Sequence, residues 1–255
     1  MSGHSKWSKI KRKKGATDAA RSKVFSRVIK EINIAARDGG GDPESNARLS
    51  LAIDNAKAVN MPKDNIERAI KKGIGELDGG GAAYEEISYE GYGPGGIAYF
   101  VDCTTDNQKR TVSDVRHAFS KRGGNLGTTG SVGFLFEQKG VIIIPSNNVE
   151  SEQLMLDAIE AGAEDIKEED DILEVITVRE DLFSVKTALE AAGYTIESAN
   201  LQRVPTTQTK VDAETALSNF KLIELLEEND DVNDVFTNME VDEEALAIVE
   251  REMGG

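Results

Sequence analysis

Apolar side chains recur at helical spacing through the first third of the chain. At about 100° per residue, Phe25, Ile29, Ile32 and Ala36 fall on one face, and Lys23, Arg27, Lys30 and Arg37 lie opposite. The spacing predicts an amphipathic helix over residues 17–38 with a cationic outer stripe. Thr17 is its N-cap and the glycines at 39–41 are its stop. Asp42-Pro43 is a cap-then-proline pair that opens a second helix, with Leu49, Ala52, Ile53, Ala56 and Val59 as its buried stripe. Pro62 opens a third, carrying Ile66, Ala69 and Ile70 and ending at Lys72-Gly73. Residues 1–76 thus read as an arm followed by a three-helix domain, and the glycines at 79–81 as a linker.

From Tyr84 the pattern shortens to that of strands. Residues 86–90 and 97–102 flank the glycine-rich hairpin loop GYGPGG, and a helix over 107–121 buries Val112, Val115 and Phe119. Further strands are expected at 134–136 and 141–144. Residues 141–204 repeat the order β-α-β-β-α-β, which is that of a ferredoxin-like unit. After Pro205 a helix (213–228) and a strand (232–236) remain, too short to fold alone. The economical arrangement returns them to the 84–136 sheet. The fold class expected is α/β (α+β) in three domains: residues 1–76; residues 77–139 with 205–255 as a discontinuous α/β domain; and residues 140–204 as an inserted ferredoxin-like βαββαβ domain.

Charge changes the picture more than composition does. The 255 residues are 39% hydrophobic and 30% charged, a globular balance, with a net charge of −16. That charge is segregated. Residues 1–76 hold 17 Lys and Arg against 9 Asp and Glu, residues 77–136 hold 5 against 7, and residues 137–255 hold 8 against 30. The first 30 residues contain ten basic side chains and one acid, Asp18. Six cations between Lys6 and Lys14 repel one another, so this stretch reads as an extended arm.

Several chemistries find no support. One cysteine, Cys103, rules out an internal disulfide and reads as a packed thiol at a strand end. With His4 and His117 as the other soft ligands, zinc spacing is absent, and no metal or cofactor is expected. No apolar run approaches the ~20 residues that span a bilayer, and residues 1–20 lack the apolar core of a secretory signal. Their basic, serine-containing composition is also that of a mitochondrial presequence. Gly91-x-Gly93-x-x-Gly96 has the letters of a dinucleotide fingerprint, but a strand follows where a helix must open, so it reads as a hairpin turn. GGNLGTTGSVG (123–133) lacks the Gly-Lys-Ser/Thr ending of a P-loop and reads as a flexible loop, with a phosphate-meeting amide patch as the lesser alternative. No Ser, Cys or carboxylate pair stands out as catalytic. The chain is expected to be no enzyme and to take no small-molecule substrate.

The basic arm is the candidate site. Lys6, Lys9, Lys11, Arg12, Lys13 and Lys14 can neutralise phosphates, and Trp7 among them offers a stacking or wedge surface. Arg21, Lys23, Arg27 and Lys30 extend that surface along the first helix. Arg110, His117 and Lys121 at helical spacing, with Arg116 and Arg122 nearby, form a second, weaker basic group on the 107–121 helix, interrupted by Asp114. Two rival classes remain: a nucleotide-binding enzyme using the glycine-rich loops, and a protein-only adaptor docking through its acidic surface.

At these residues the chain resembles the YebC family, which includes the mitochondrial translational activator of cytochrome c oxidase. The resemblance rests on GHSKW (3–7), Lys23-x-Phe25, GGGDP (39–43), YEGYGPGG (89–96), TDN, RTV and VRHAFSK (105–121), and GGNLGTTGSV (123–132). It implies a three-domain α/β protein without enzymatic activity, whose basic arm belongs to the mature cytoplasmic chain. Members are described as DNA-binding transcriptional regulators, and also as ribosome-associated translation factors that help at consecutive prolines. The partner implied is therefore DNA or ribosomal RNA, not a membrane. Arg12 stands where many members carry a histidine, which preserves charge but removes an imidazole.

Overall fold

The computed structural model describes Trp7 and residues 18–77, 84–147, 149–169 and 171–253. In chain order the helices are α1 (Asp18–Gly39), α2 (Ala47–Ala58), α3 (Lys63–Gly73), α4 (Gln108–Lys121), α5 (Ser151–Ala161), α6 (Leu182–Ala191), α7 (Ala213–Glu227) and α8 (Glu243–Met253). The strands are β1 (Glu85–Tyr92), β2 (Ala98–Thr105), β3 (Asn125–Leu126), β4 (Phe136–Pro145), β5 (Asp165–Glu169), β6 (Ile172–Val178), β7 (Ser198–Pro205), β8 (Thr209–Lys210), β9 (Val232–Thr237) and β10 (Met239–Glu240). The fold class is mixed α/β with open sheets, as the sequence pattern predicts. Two compact units are formed, one from residues 1–27, 82–137 and 204–255, the other from residues 28–81 and 138–203.

The first unit is built on a sheet of order β3-β1-β2-β9. Strands β1 and β2 form an antiparallel hairpin, and β9 runs antiparallel to β2, so the carboxyl-terminal segment completes a sheet begun over 130 residues earlier. The alternation of β2 sorts its side chains onto two faces. Tyr99, Val101 and Cys103 share a core with Phe119 of α4 and Phe220 of α7, while Ala98 and Phe100 pack with Val132, Phe136 and Phe236. Helix α8 adds Ala245, Leu246 and Val249 to the first of these cores. The sequence pattern left that helix unread.

The second unit carries a sheet of order β5-β6-β4-β7, with β6 antiparallel to both β4 and β5. This split arrangement is the ferredoxin-like one. Ile142, Ile144, Leu173 and Val175 of the sheet bury against Leu154 of α5 and Val185 and Leu189 of α6. Helix α2 joins this unit through Leu51, which packs against the same core, and through Asn55, whose amide donates to Asn200 at 2.7 Å.

Two boundaries differ from the expected ones. The second helix begins at Ala47 and not at Pro43, because Asn46 is the better cap. Its Oδ1 accepts from the Leu49 amide at 3.0 Å, and its Nδ2 donates to the carbonyls of Ala35 and Gly40 at 2.8 Å, which pins the end of α1. Residues 42–45 form a turn instead, with the Ser45 amide donating to Asp42. The expected strand at 134–136 is a single 3-10 turn, Gly133–Leu135, that leads straight into β4. Among the described residues no helix is long and apolar enough to cross a membrane.

Candidate nucleic-acid interface

Helix α4 starts where Asn107 caps it, its side chain accepting from the Arg110 amide at 3.2 Å. Thr111, Val115, Ala118 and Phe119 turn into the core, leaving the opposite arc to solvent. Lys109, Arg116, His117 and Lys121 are exposed on that arc, and none is ion-paired to a described residue. At about 1.5 Å per residue they extend along roughly 18 Å of helix.

Arg110 has a different job. Its guanidinium lies 2.6 Å from Asp231 and 2.8 Å from Asp106. The hydrogen bond it donates to Asp231, then the one to Asp106, raises its pKa above the ordinary arginine value. Asp231 is buried and also accepts from Thr111 Oγ1 at 2.9 Å and Thr105 Oγ1 at 3.1 Å, while the Thr104 amide donates to its carbonyl at 2.8 Å. The TDN and RT motifs are thus the socket that holds the approach to β9 against β2 and α4. A hollow of about 330 Å³ beside Arg110 is lined by Asp114, Asn229, Asp230 and Asp231, a wall that repels phosphate.

The first-helix stripe is also engaged by the chain itself. Lys23 Nζ donates to the Glu227 carbonyl at 2.7 Å and lies 3.8 Å from Asp230, and Arg27 is paired with Asp234. Lys30 is buried. These three were expected on an outer phosphate-binding face. The structure corrects this, because acids from the carboxyl-terminal half reach Lys23 and Arg27 first. Trp7 is corrected as well: it is 4% exposed and stacks on Phe220 with ring centroids 5.8 Å apart, so it serves the core and offers no free face to a base. Lys6, Lys9, Lys11, Arg12, Lys13 and Lys14 lie outside the described residues, as does the side chain of Arg21. Of the expected site residues whose side chains are described, Lys121 is exposed and has no ion-pair partner among the described residues.

Both glycine-rich motifs are occupied by the protein's own groups. In GYGPGG, Gly95 and Gly96 take φ of 72° and 74°, which glycine alone adopts readily. A Cβ on Gly93 would meet the Tyr99 ring at 2.4 Å and Asn219 Oδ1 at 2.5 Å. Asn219, fully buried, donates to the carbonyls of Pro94 and Thr215 and accepts from the Tyr99 hydroxyl at 2.8 Å. Burial holds that phenol well above its ordinary pKa, so it stays a donor.

In the second motif, Gly130, Val132 and Gly133 all donate their amides to the Glu90 carboxylate at 2.7 Å. The amide patch contemplated for phosphate is therefore filled by a side-chain anion. Sequence reasoning missed Glu90. The one available signal was an acid inside a half-buried strand, flanked by Tyr89 and Gly91.

The family model described as the TACO1/YebC protein N-terminal domain matches residues 5–76, and the one described as the TACO1/YebC second and third domain matches residues 84–239. A protein of Syntrophotalea carbinolica named "probable transcriptional regulatory protein" is 53% identical over 247 residues, covering 97% of this chain and 98% of that one. One of the same name from Desulforamulus reducens is 55% identical over 242 residues, covering 94% and 99%. The crystal structure of a conserved hypothetical protein from Aquifex aeolicus superposes with a TM-score of 0.84 at 50% identity, over 89% of this chain and 93% of that one. On the strength of family models over both parts of its length and relatives matched nearly end to end, this chain belongs to the TACO1/YebC family.

Proposed function

We propose that this chain is a non-enzymatic regulator of gene expression that holds nucleic acid by its phosphates, using the basic arm and the solvent face of α4. The observation that carries the reading is the uneven placement of positive charge along the chain. Residues 1–30 hold ten cations, and α4 presents Lys109, Arg116 and Lys121 free to solvent, in a chain whose net charge is −16. Acids elsewhere on the body discourage indiscriminate adhesion and confine a polyanion to those two places. The relatives' name supports a regulatory role. The filled glycine motifs weigh against a nucleotide enzyme, since a phosphate would have to displace Glu90 from three amides.

Ribosomal RNA is the second reading beside the DNA-binding one, and one observation favours it. Two α4 side chains suited to bidentate reading of bases are already engaged, Gln108 by Glu85 and Arg110 by Asp231 and Asp106. Apart from Arg116, what remains on α4 are point charges that fit a partner recognised by backbone and shape.

The test is salt. If the arm neutralises about five phosphates, log K falls against log salt with a slope of roughly −4. Replacing Lys9, Lys11, Arg12, Lys13 and Lys14 by Gln flattens it, and an unchanged slope refutes the arm. Sedimentation of lysate with and without ribonuclease then separates ribosomal from DNA partners.

A further inference from the structure

The segment between α4 and β4 differs from the rest of the molecule. Residues 123–136 contain no charged side chain, fourteen in succession in a chain that is 30% charged. Lys121 and Arg122 stand at their entrance. The segment is neither loose nor buried. It pairs with three residues at the end of β1 and returns to two of them, Glu90 and Tyr92. On the way out, Asn125 and Leu126 pair with Tyr92 and Gly91, and the Gly127 amide donates to the Glu90 carbonyl at 2.8 Å. On the way back, the Tyr92 hydroxyl donates to the Ser131 carbonyl at 2.9 Å, and the Glu90 carboxylate takes the amides of Gly130, Val132 and Gly133.

Phe134 comes next. It is 73% exposed, more than any other large apolar side chain of the described residues. Its neighbours on either side are locked. Val132 and Phe136 are buried in the core under the sheet, and the Leu135 carbonyl accepts from the Thr206 amide at 2.9 Å. An aromatic ring is thus held in water on an anchored turn, within a segment that carries no charged side chain from Gly123 to Phe136 and also contains the exposed Thr128 and Thr129. Burying that ring elsewhere would remove apolar surface from water, yet the turn prevents it.

We infer that this lobe is a single-strand contact in which Phe134 stacks on an unpaired base. The inference rests on the nucleic-acid reading above and gives it a partner class, an exposed base in single-stranded RNA or DNA. Base–aromatic stacking tolerates any sequence, because every base has a π face. The segment's own lack of charge spares a phosphate strand part of the repulsion that the many acids of this chain would exert.

The experiment uses the full chain, its Phe134→Ala and Phe134→Trp variants, and two fluorescein-labelled probes of equal charge: a twelve-nucleotide single-stranded RNA of mixed sequence and an abasic strand of the same length. Phe134→Ala weakens the RNA about tenfold, with the salt slope and the affinity for the abasic strand unchanged. Phe134→Trp restores binding, and its emission is quenched by the RNA but not by the abasic strand. Because the ring is exposed, both variants keep the parent's denaturation midpoint. Equal RNA affinity for Phe134→Ala and the parent overturns the inference while leaving the arm-dependent reading intact. Failure of the parent to bind either probe brings down both. Loss of a nuclease-resistant protein partner in Phe134→Ala, with RNA affinity unchanged, replaces the base by a protein surface.

Discussion

A single carboxylate organises the turn that carries Phe134. Glu90 is 7% exposed, and its buried charge is tolerated because three amides at 2.7 Å replace its water. Removing it leaves three donors without their acceptor beneath the turn. Glu90→Ala is therefore expected to cost about 2–4 kcal/mol and to speed amide exchange at Gly130, Val132 and Gly133 ahead of the rest of the sheet. Exchange at those three positions that keeps its parental rate would show that the turn is held by something else. Trp7 makes the same point from the other side. An indole among six cations looks like a nucleic-acid contact, and its stacking on Phe220 makes it a core residue.

At the scale of the element, α4 divides its cations between two tasks. Arg110 sits over the Asp231 socket, and Arg116 and Lys121 face solvent. The two roles come apart by substitution. Arg110→Gln lowers the denaturation midpoint, since Asp231 loses its counter-ion, and leaves the salt dependence of RNA binding where it was. Arg116→Gln with Lys121→Gln does the reverse, keeping the midpoint and reducing the slope by about 2. A slope indifferent to the double substitution would remove α4 from the interface. From sequence alone all three looked alike, as basic residues near helical spacing on one amphipathic helix. Distinguishing them required Asp231, which is 121 residues from Arg110.

For the molecule as a whole, the second unit joins two distant stretches of chain through a buried lysine. Lys186 of α6 lies 2.8 Å from Asp54 of α2 and 2.9 Å from Glu190. Burial by itself would lower the Lys186 pKa, but the hydrogen bonds and charges of Asp54 and Glu190 outweigh it and the value is raised. Asp54 mirrors this: burial pushes it up, and the bonds from Lys186 and Lys57 bring it below the ordinary value. The sign of the pH effect follows from linkage. The lysine contribution is whole below its ordinary pKa of about 10.4 and fades as pH rises through the raised value. The aspartate contribution is whole above its ordinary pKa of about 3.9 and fades as pH falls through the lowered one. Lys186→Met is expected to cost about 1 kcal/mol at neutral pH, because both acids can rehydrate at the surface. It should also flatten both ends of the stability profile followed by urea unfolding. Ends as steep as the parent's would mean that other groups set them.

The residues determined by themselves what local physics can determine. Periodicity marks α1 and α3 to within a residue or two, alternation marks β1 and β2, the βαββαβ order marks the ferredoxin-like unit, and charge counting marks a basic front on an acidic chain. Those signals arise between neighbours and survive in one dimension. What the tertiary structure alone decided is which charges are available. Lys23 and Arg27 are met by Asp230 and Asp234, and Arg110 by Asp231. Glu90 consumes the amides of the glycine loop, and Phe134 is left in water by the anchoring of its neighbours. Hydrogen bonds act over about 3 Å and exposed charges are screened over about 10 Å, so a partner over a hundred residues away leaves no trace in the local pattern until the fold brings it within reach.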